Sequence, residues 1–235
     1  MSYAKIKKAL HKKANKKSAH SASRFFKTGE GQYGEGDTFL GITVPEIRRI
    51  AKDFNDTPLP SIKKCLQSQH NEERLFGLIL LCNQYIKAES ENERSVIYSF
   101  TLEHIKRINN WNLVDLVAPT VFGRHLLTKK KSLLYSLVDS NSLWERRIAI
   151  VTTLHFIKNN SYDDCLKITR LLLKDKEDLI HKACGWMLRE VGKKDKEVLT
   201  KFLHTHIKQM PRTTLRYAIE RYPEKERRRI LSIPL

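Results

Sequence analysis

The chain has 235 residues, a length that suits one compact domain or one continuous superhelix. Lys and Arg total 44 against 26 Asp and Glu, which gives a net charge of +18 with histidine neutral. A hydrophobic share of 40% excludes a disordered chain, nine glycines and seven prolines exclude a collagen-like one, and the excess positive charge predicts a polyanionic partner.

The first 44 residues form a basic segment that we predict to contain short helices. Residues 1–27 carry nine lysines and arginines and no acidic residue, and a glycine-rich connector follows at 29–36. The connector lacks the preceding apolar strand and the Gly-Lys-Ser/Thr ending of a nucleotide-binding loop. It is therefore interpreted either as a flexible loop or as backbone that can approach a phosphate closely.

The apolar runs and the cysteines indicate in which cellular compartment we expect the protein. No apolar segment long enough for export follows the N-terminus, and the longest apolar run, 78–82, is far too short to cross a bilayer. The cysteines form no Cys-x-x-Cys pair and sit among apolar neighbours, so we expect reduced core thiols and a cytosolic protein. They are Cys65, Cys82, Cys165 and Cys184. The nine histidines are scattered, and we predict no metal site and no cofactor.

From residue 45 onward the pattern is typical of successive helices. Apolar residues recur at intervals of three and four, while strand-like alternation is almost absent. Each predicted helix start combines a polar residue or a proline with such a run. The starts lie near Pro45, Asn71, Asn92, Asn109, Ser140, Tyr162, Asp175, Asp195 and Pro211.

Several of these predicted helices resemble one another. Equivalent points can be placed at spacings of 40, 33, 35 and 33 residues, which is typical of helix-pair repeats of the HEAT type. We therefore predict an all-α protein, a superhelical solenoid with a concave basic groove. The stacked repeats would fill 45–235 of a single domain, 1–235. The equivalent points are Arg74, Val114, Arg147, Lys182 and Leu215.

The pair formed by Trp111 and Asp115 is the strongest local feature. Because the two residues are four apart, a helix would place the indole beside the carboxylate on one face. Spacing alone also fits an amphipathic helix with a core Trp111 and a solvated or capping Asp115.

Two further tryptophans have an arginine three residues later. Trp144 precedes Arg147, and Trp186 precedes Arg189, each in a different predicted repeat. Aromatic rings and cations in one groove are what nucleic-acid binding uses, for stacking and for phosphate neutralisation. Trp144 follows an apolar residue at a helix start and is assigned to packing.

At these positions the sequence resembles the AlkD-type DNA alkylation-repair glycosylases, which are HEAT-like solenoids. The resemblance is carried by 39–48, by 111–115 with Pro119 and Thr120, by 144–150 and by 185–190, in the same order. It implies hydrolysis of the N-glycosidic bond of alkylated purines in DNA, without a deep pocket for the base.

The resemblance also implies roles for individual residues. Asp115 would be the catalytic carboxylate, Trp111 and Trp186 would contact the lesion nucleotide, and Arg147 would contact the phosphate backbone. We add Arg189 and Lys182 as DNA-binding residues because they share a predicted helix with Trp186. The expected partner is duplex DNA carrying alkylated bases, bound by a monomer. The alternative is a non-catalytic HEAT-repeat module that binds DNA or RNA or docks a protein.

Overall fold

The computed structural model describes residues 1–233, and these residues form helices and no β-strand. The predicted all-α class is confirmed. Contacts along the chain divide it into two compact units, Met1–Val121 and a second that begins at Phe122. Within each unit, several successive helices pack against each other, among them α4 with α5, α9 with α10, and α12 with α13. The concave groove and the single-domain organisation stay predictions.

The first unit is built around one buried helix, α5. This helix is buried continuously from Asn71 to Cys82, through four polar or charged residues at 71–74 and then through the apolar run 75–82. It packs against α3, α4, α6 and α7, so it forms the core that fixes the other helices. The helices are α1 (Tyr3–His11), α2 (Lys16–Phe25), α3 (Val44–Ala51), α4 (Leu59–Leu66), α5 (Asn71–Lys87), α6 (Glu91–Glu103) and α7 (Trp111–Val117).

The second unit has two central helices, α10 and α12, which pack against each other. Gly185 permits the close approach of α12 to α14, because a Cβ at this position would lie 2.5 Å from Cβ of Tyr217. The helices are α8 (Gly123–Leu126), α9 (Ser132–Val138), α10 (Leu143–Lys158), α11 (Asp163–Leu172), α12 (Asp178–Lys194), α13 (Lys196–His206), α14 (Arg212–Ala218) and α15 (Glu224–Leu231).

The first helix is fixed by both apolar and polar contacts. Ile6 and Leu10 are fully buried on one face of α1. At its two ends, the Tyr3 hydroxyl donates to Glu73 at 2.7 Å and the His11 Nε2 lies 2.6 Å from the other oxygen of that carboxylate. Burial and the hydrogen bond to Glu73 raise the pKa of Tyr3, which keeps its hydroxyl a donor.

The glycine-rich connector consists of successive hydrogen-bonded turns. The amide of Gly34 donates to the carbonyl of Lys27, and the amide of Asp37 donates to the carbonyl of Gly34. Gly31 and Gly36 adopt positive φ angles, which glycine tolerates without a Cβ clash. These turns deliver Asp37 to a buried position.

The cysteines are buried free thiols, as predicted. Burial raises the pKa of Cys65 to about 12 and that of Cys165 to about 12, and it also raises the pKa of Cys184. No helix among residues 1–233 combines the length and apolar character needed to cross a membrane.

Candidate active site

Helix α7 presents Trp111 and Asp115 on one face of the first unit. Both residues are partly exposed, whereas Leu113, Val114 and Val117 are buried on the opposite face. The predicted helical placement of the pair is therefore confirmed. The apolar face fixes the helix, and the indole and the carboxylate are left one turn apart at the surface.

The helix widens immediately after Asp115. Residues Ala118–Phe122 form a π-helical segment that contains Pro119. Because Pro119 has no N–H, the carbonyl of Asp115 cannot accept the ordinary bond from four residues ahead. The wider turn accommodates this loss, and such π segments occur frequently at functional sites.

A cluster of phenylalanines packs against Trp111. The Phe26 ring stacks on the indole with the centroids 4.9 Å apart, and Phe39 stacks on the far side of Phe26 at 4.8 Å. Phe25 contacts the indole edge to face at 5.8 Å and is 66% exposed. The stack holds the indole on one side, and Phe25 adds a second exposed aromatic surface beside it.

A buried polar network fixes the start of α7. The Asn110 side chain caps the helix by accepting from the Trp111 amide at 2.8 Å, and its Nδ2 donates to Asp37 at 2.9 Å. Asp37 also forms a buried ion pair with Arg74 and accepts from Asn71. The network thus connects the connector, α5 and the first residue of α7, and it positions Trp111.

A small cavity lies beside the phenylalanine stack. It has a volume of about 200 Å³ and is lined mainly by apolar side chains, including Phe26, Phe39 and Leu75. On its floor, the Glu72 carboxylate accepts from the amides of Leu40, Gly41 and Ile42 at 2.8–3.3 Å. These three donors hold the loop before α3 against α5.

In the second unit, α12 presents Lys182, Trp186 and Arg189 along one partly exposed face. The Nζ of Lys182 lies 2.7 Å from the Asp178 carboxylate, and Arg189 forms an ion pair with Glu220. Trp186 makes no ring contact with another aromatic residue within 1–233. The indole is partly exposed on this face of α12.

Arg147 lies deeper than a simple phosphate contact requires. It is only 6% exposed on α10, and its Nη1 donates to the carbonyl of Leu179 at 2.7 Å. This bond holds the start of α12 against α10. Trp144, which was assigned to packing, is partly exposed near the start of α10.

One group of residues within 1–233 could hold a metal ion: His11, His70 and Glu73, whose donor atoms lie within 4.8 Å of one another. The absence of a metal site stays a prediction. Protein partners engage all three side chains, since His70 contacts Thr38 at 2.9 Å and Glu73 is bound by Tyr3 and His11. These hydrogen bonds explain why the three side chains lie together, because the bonds from Tyr3 and His11 to Glu73 anchor α1.

A family model for DNA alkylation repair enzymes matches residues 6–222, which is most of the chain. The protein belongs to the DNA alkylation repair enzyme family. A solved structure described as a predicted DNA alkylation repair enzyme from Enterococcus faecalis has a similar fold, with a TM-score of 0.71. The two chains are 19% identical, and the match covers 90% of this chain and 98% of the other. No curated protein sequence matches significantly.

The sequence analysis of this DNA alkylation repair enzyme did not predict the aromatic residues that surround Trp111. Phe25 and Phe26 are consecutive, lie between Arg24 and Lys27, and end a polar helix with no buried residue. Two adjacent phenylalanines in so polar a segment are the signal that could have identified them, because the helix itself offers no core to bury them.

The candidate residues of this repair enzyme fall in both compact units. Trp111 and Asp115 lie together in the first, and Arg147 lies with the α12 residues Lys182, Trp186 and Arg189 in the second. A carboxylate beside an indole can stabilise a developing cation, and the cations can bind phosphates. That the candidate residues of both units line one groove stays a prediction.

Proposed function

We propose that this repair enzyme is a DNA glycosylase that hydrolyses the N-glycosidic bond of positively charged alkylated purines in duplex DNA. The observation that carries the proposal is the Trp111 and Asp115 pair, presented on the partly exposed face of α7. The protein would act as a monomer in the cytoplasm, on duplex DNA carrying bases such as 3-methyladenine or 7-methylguanine. It would start base excision repair.

The chemistry of the substrate suits this set of residues. A purine alkylated at a ring nitrogen carries positive charge, so the glycosidic bond can break with its electron pair leaving on a neutral base. Water then adds to C1′ of the deoxyribose and releases a proton. The leaving group therefore requires no general acid.

Asp115 would stabilise the positive charge that grows on the deoxyribose. A carboxylate at about 4 Å from a unit charge contributes roughly 4 kcal/mol at an effective dielectric of 20. That free energy corresponds to about a thousandfold in rate. Asp115 would also orient the attacking water.

The aromatic residues would favour the cationic sugar and base. Trp111 and Trp186 would each contribute about 0.5–2 kcal/mol through cation–π contact. Phe25, exposed beside Trp111, extends this aromatic surface in the first unit. Arg147, Arg189 and Lys182 would neutralise phosphates, the last two by exchanging their present carboxylate partners for DNA.

Release of free base from methylated duplex DNA tests the proposal. We expect the protein to release 7-methylguanine or 3-methyladenine, measured by chromatography of the soluble bases, and to leave unmethylated duplex intact. Protein that binds methylated duplex but releases no base would instead support the non-catalytic binding module.

Replacement of Arg147 by alanine tests two roles of this residue, the proposed phosphate contact and the hydrogen bond to the Leu179 carbonyl. We expect weaker duplex binding with a salt dependence shallower by about one unit of slope, because one phosphate contact is lost. Unfolding should also become easier by about 1–3 kcal/mol, because the Leu179 carbonyl loses its donor.

The neighbouring Arg146 supplies the matched control for this experiment. It binds Asp175 at 2.6 Å and the Ser140 carbonyl at 2.9 Å. Arg146→Ala should therefore lower stability without changing the salt slope. A slope that is also unchanged in Arg147→Ala would leave Arg147 with a structural role alone.

A further inference from the structure

We propose that the first two helices form a second DNA-binding surface, which holds the duplex backbone beside the Trp111 site. This N-terminal basic surface consists of Lys5 and Lys8 on α1, of Lys12 at the C-cap of α1, and of Lys17 and Arg24 on α2. The choice of duplex DNA as the polyanion rests on the proposed function. The existence of a polyanion-binding surface is supported independently by the exposure of these five cations.

The lysines of α1 share one face of a fixed helix. Lys5, Lys8 and Lys12 are spaced three and four residues apart and are all exposed. The opposite face is buried through Ile6 and Leu10. Because Tyr3 and His11 also bind Glu73, these cations project from an anchored element, and not from a loose tail.

Neighbouring carboxylates do not neutralise these cations. The first acidic residue of the chain is Glu30. Among the lysines and arginines of α1, α2 and the turn between them, Lys13 alone forms an ion pair within residues 1–233, with Glu46 at 3.3 Å. The charge of the N-terminal basic surface is therefore left for an external partner.

The placement of charge on α2 does not serve folding. Lys16 and Lys17 occupy its first turn, and no acidic residue lies there. Cations at this end oppose the helix dipole, whose positive end attracts anions. No residue of α2 is fully buried, and Phe25, which contacts Trp111, is itself 66% exposed, so packing offsets only part of this cost. Binding of a polyanion would offset the repulsion between the neighbouring cations and their unfavourable interaction with the helix dipole.

The position of α2 connects its charge to the candidate active site. Its exposed face carries Lys17 and Arg24, two turns apart. The helix ends at Phe25, which contacts Trp111, and the next residue, Phe26, stacks on the same indole. A duplex that reaches Trp111 would therefore pass the cations of α2, which favours DNA over other polyanions.

Salt-dependent binding to undamaged duplex tests this surface. We would compare wild type with Lys5→Gln/Lys8→Gln/Lys12→Gln, and separately with Lys17→Gln/Arg24→Gln, across a series of salt concentrations. Each phosphate contact contributes about 0.9 to the slope of log affinity against log salt. The triple variant should thus lose up to about 2.7 units and the double variant up to about 1.8.

The matched control removes the same charge from other elements of the first unit. Lys52, Lys87 and Lys106 are exposed, and their triple glutamine variant should keep the wild-type slope. Equal slopes in all variants, with circular dichroism showing that each remains folded, would overturn the proposal. The proposal would also be overturned if the variants lost binding to phosphatidylserine vesicles but bound duplex DNA as the wild type does. Because the assay uses undamaged DNA, failure of the glycosylase proposal would be seen separately, in base release.

Discussion

Asp115→Asn is expected to slow the release of alkylated purines by about a thousandfold, while duplex binding stays nearly unchanged. The amide keeps the shape and a hydrogen-bonding oxygen, but it lacks the negative charge that would stabilise the developing cation on the sugar. Single-turnover release of 7-methylguanine from methylated duplex measures the rate, and binding is measured on the same DNA.

Asp139→Asn is a suitable control for this substitution. It makes the same chemical change at an exposed position of the second unit, and it should release base at the wild-type rate. If Asp115→Asn retained most of the wild-type rate, the carboxylate would have no catalytic role. The Trp111 and Asp115 pair would then be a feature of the helix surface alone.

Asp37→Ala is expected to lower the free energy of unfolding by about 3–5 kcal/mol, the cost of leaving a buried cation without its partner. The side chains of Asp37 and Arg74 are 3% and 1% exposed, so water cannot replace the missing carboxylate. Asn71 and Asn110 would lose an acceptor in the same substitution. Urea denaturation measures the loss.

A double variant tests the physical cause of that loss. Adding Arg74→Met to Asp37→Ala removes the stranded charge and should recover a large part of the stability. Asp56→Ala, at an exposed position of the same unit, should change stability little. If the double variant were no more stable than the single one, the loss would come from the broken hydrogen bonds of the network and not from the stranded charge.

Helix positions were largely predictable from local patterns. The helix at Asn71 begins where predicted, and the one predicted near Ser140 begins three residues later, at Leu143. The short helices α4, α9 and α15 were not predicted. The first two offer only two turns of pattern, and Glu224–Leu231 is dominated by charged residues, so periodicity was too weak to define them.

The candidate site was predictable only where its residues are close in sequence. The spacing of Trp111 and Asp115 gave their common helical face. The buried pair of Asp37 and Arg74 spans 37 residues, and Phe26 reaches Trp111 across 85. Such contacts depend on the packing of helices, which a local pattern does not encode. Arg74 served as a marker of the repeat, but its burial required the structure.

The buried cysteines have a consequence for a protein that repairs alkylation damage. Electrophiles that methylate DNA also methylate thiolates, and the thiolate is the reactive form of cysteine. Because burial raises the pKa of Cys65, Cys165 and Cys184, these thiols stay protonated at neutral pH. We therefore expect the agents that create the proposed substrates to alkylate these buried thiols slowly. The protein would then persist in a cell under alkylation stress.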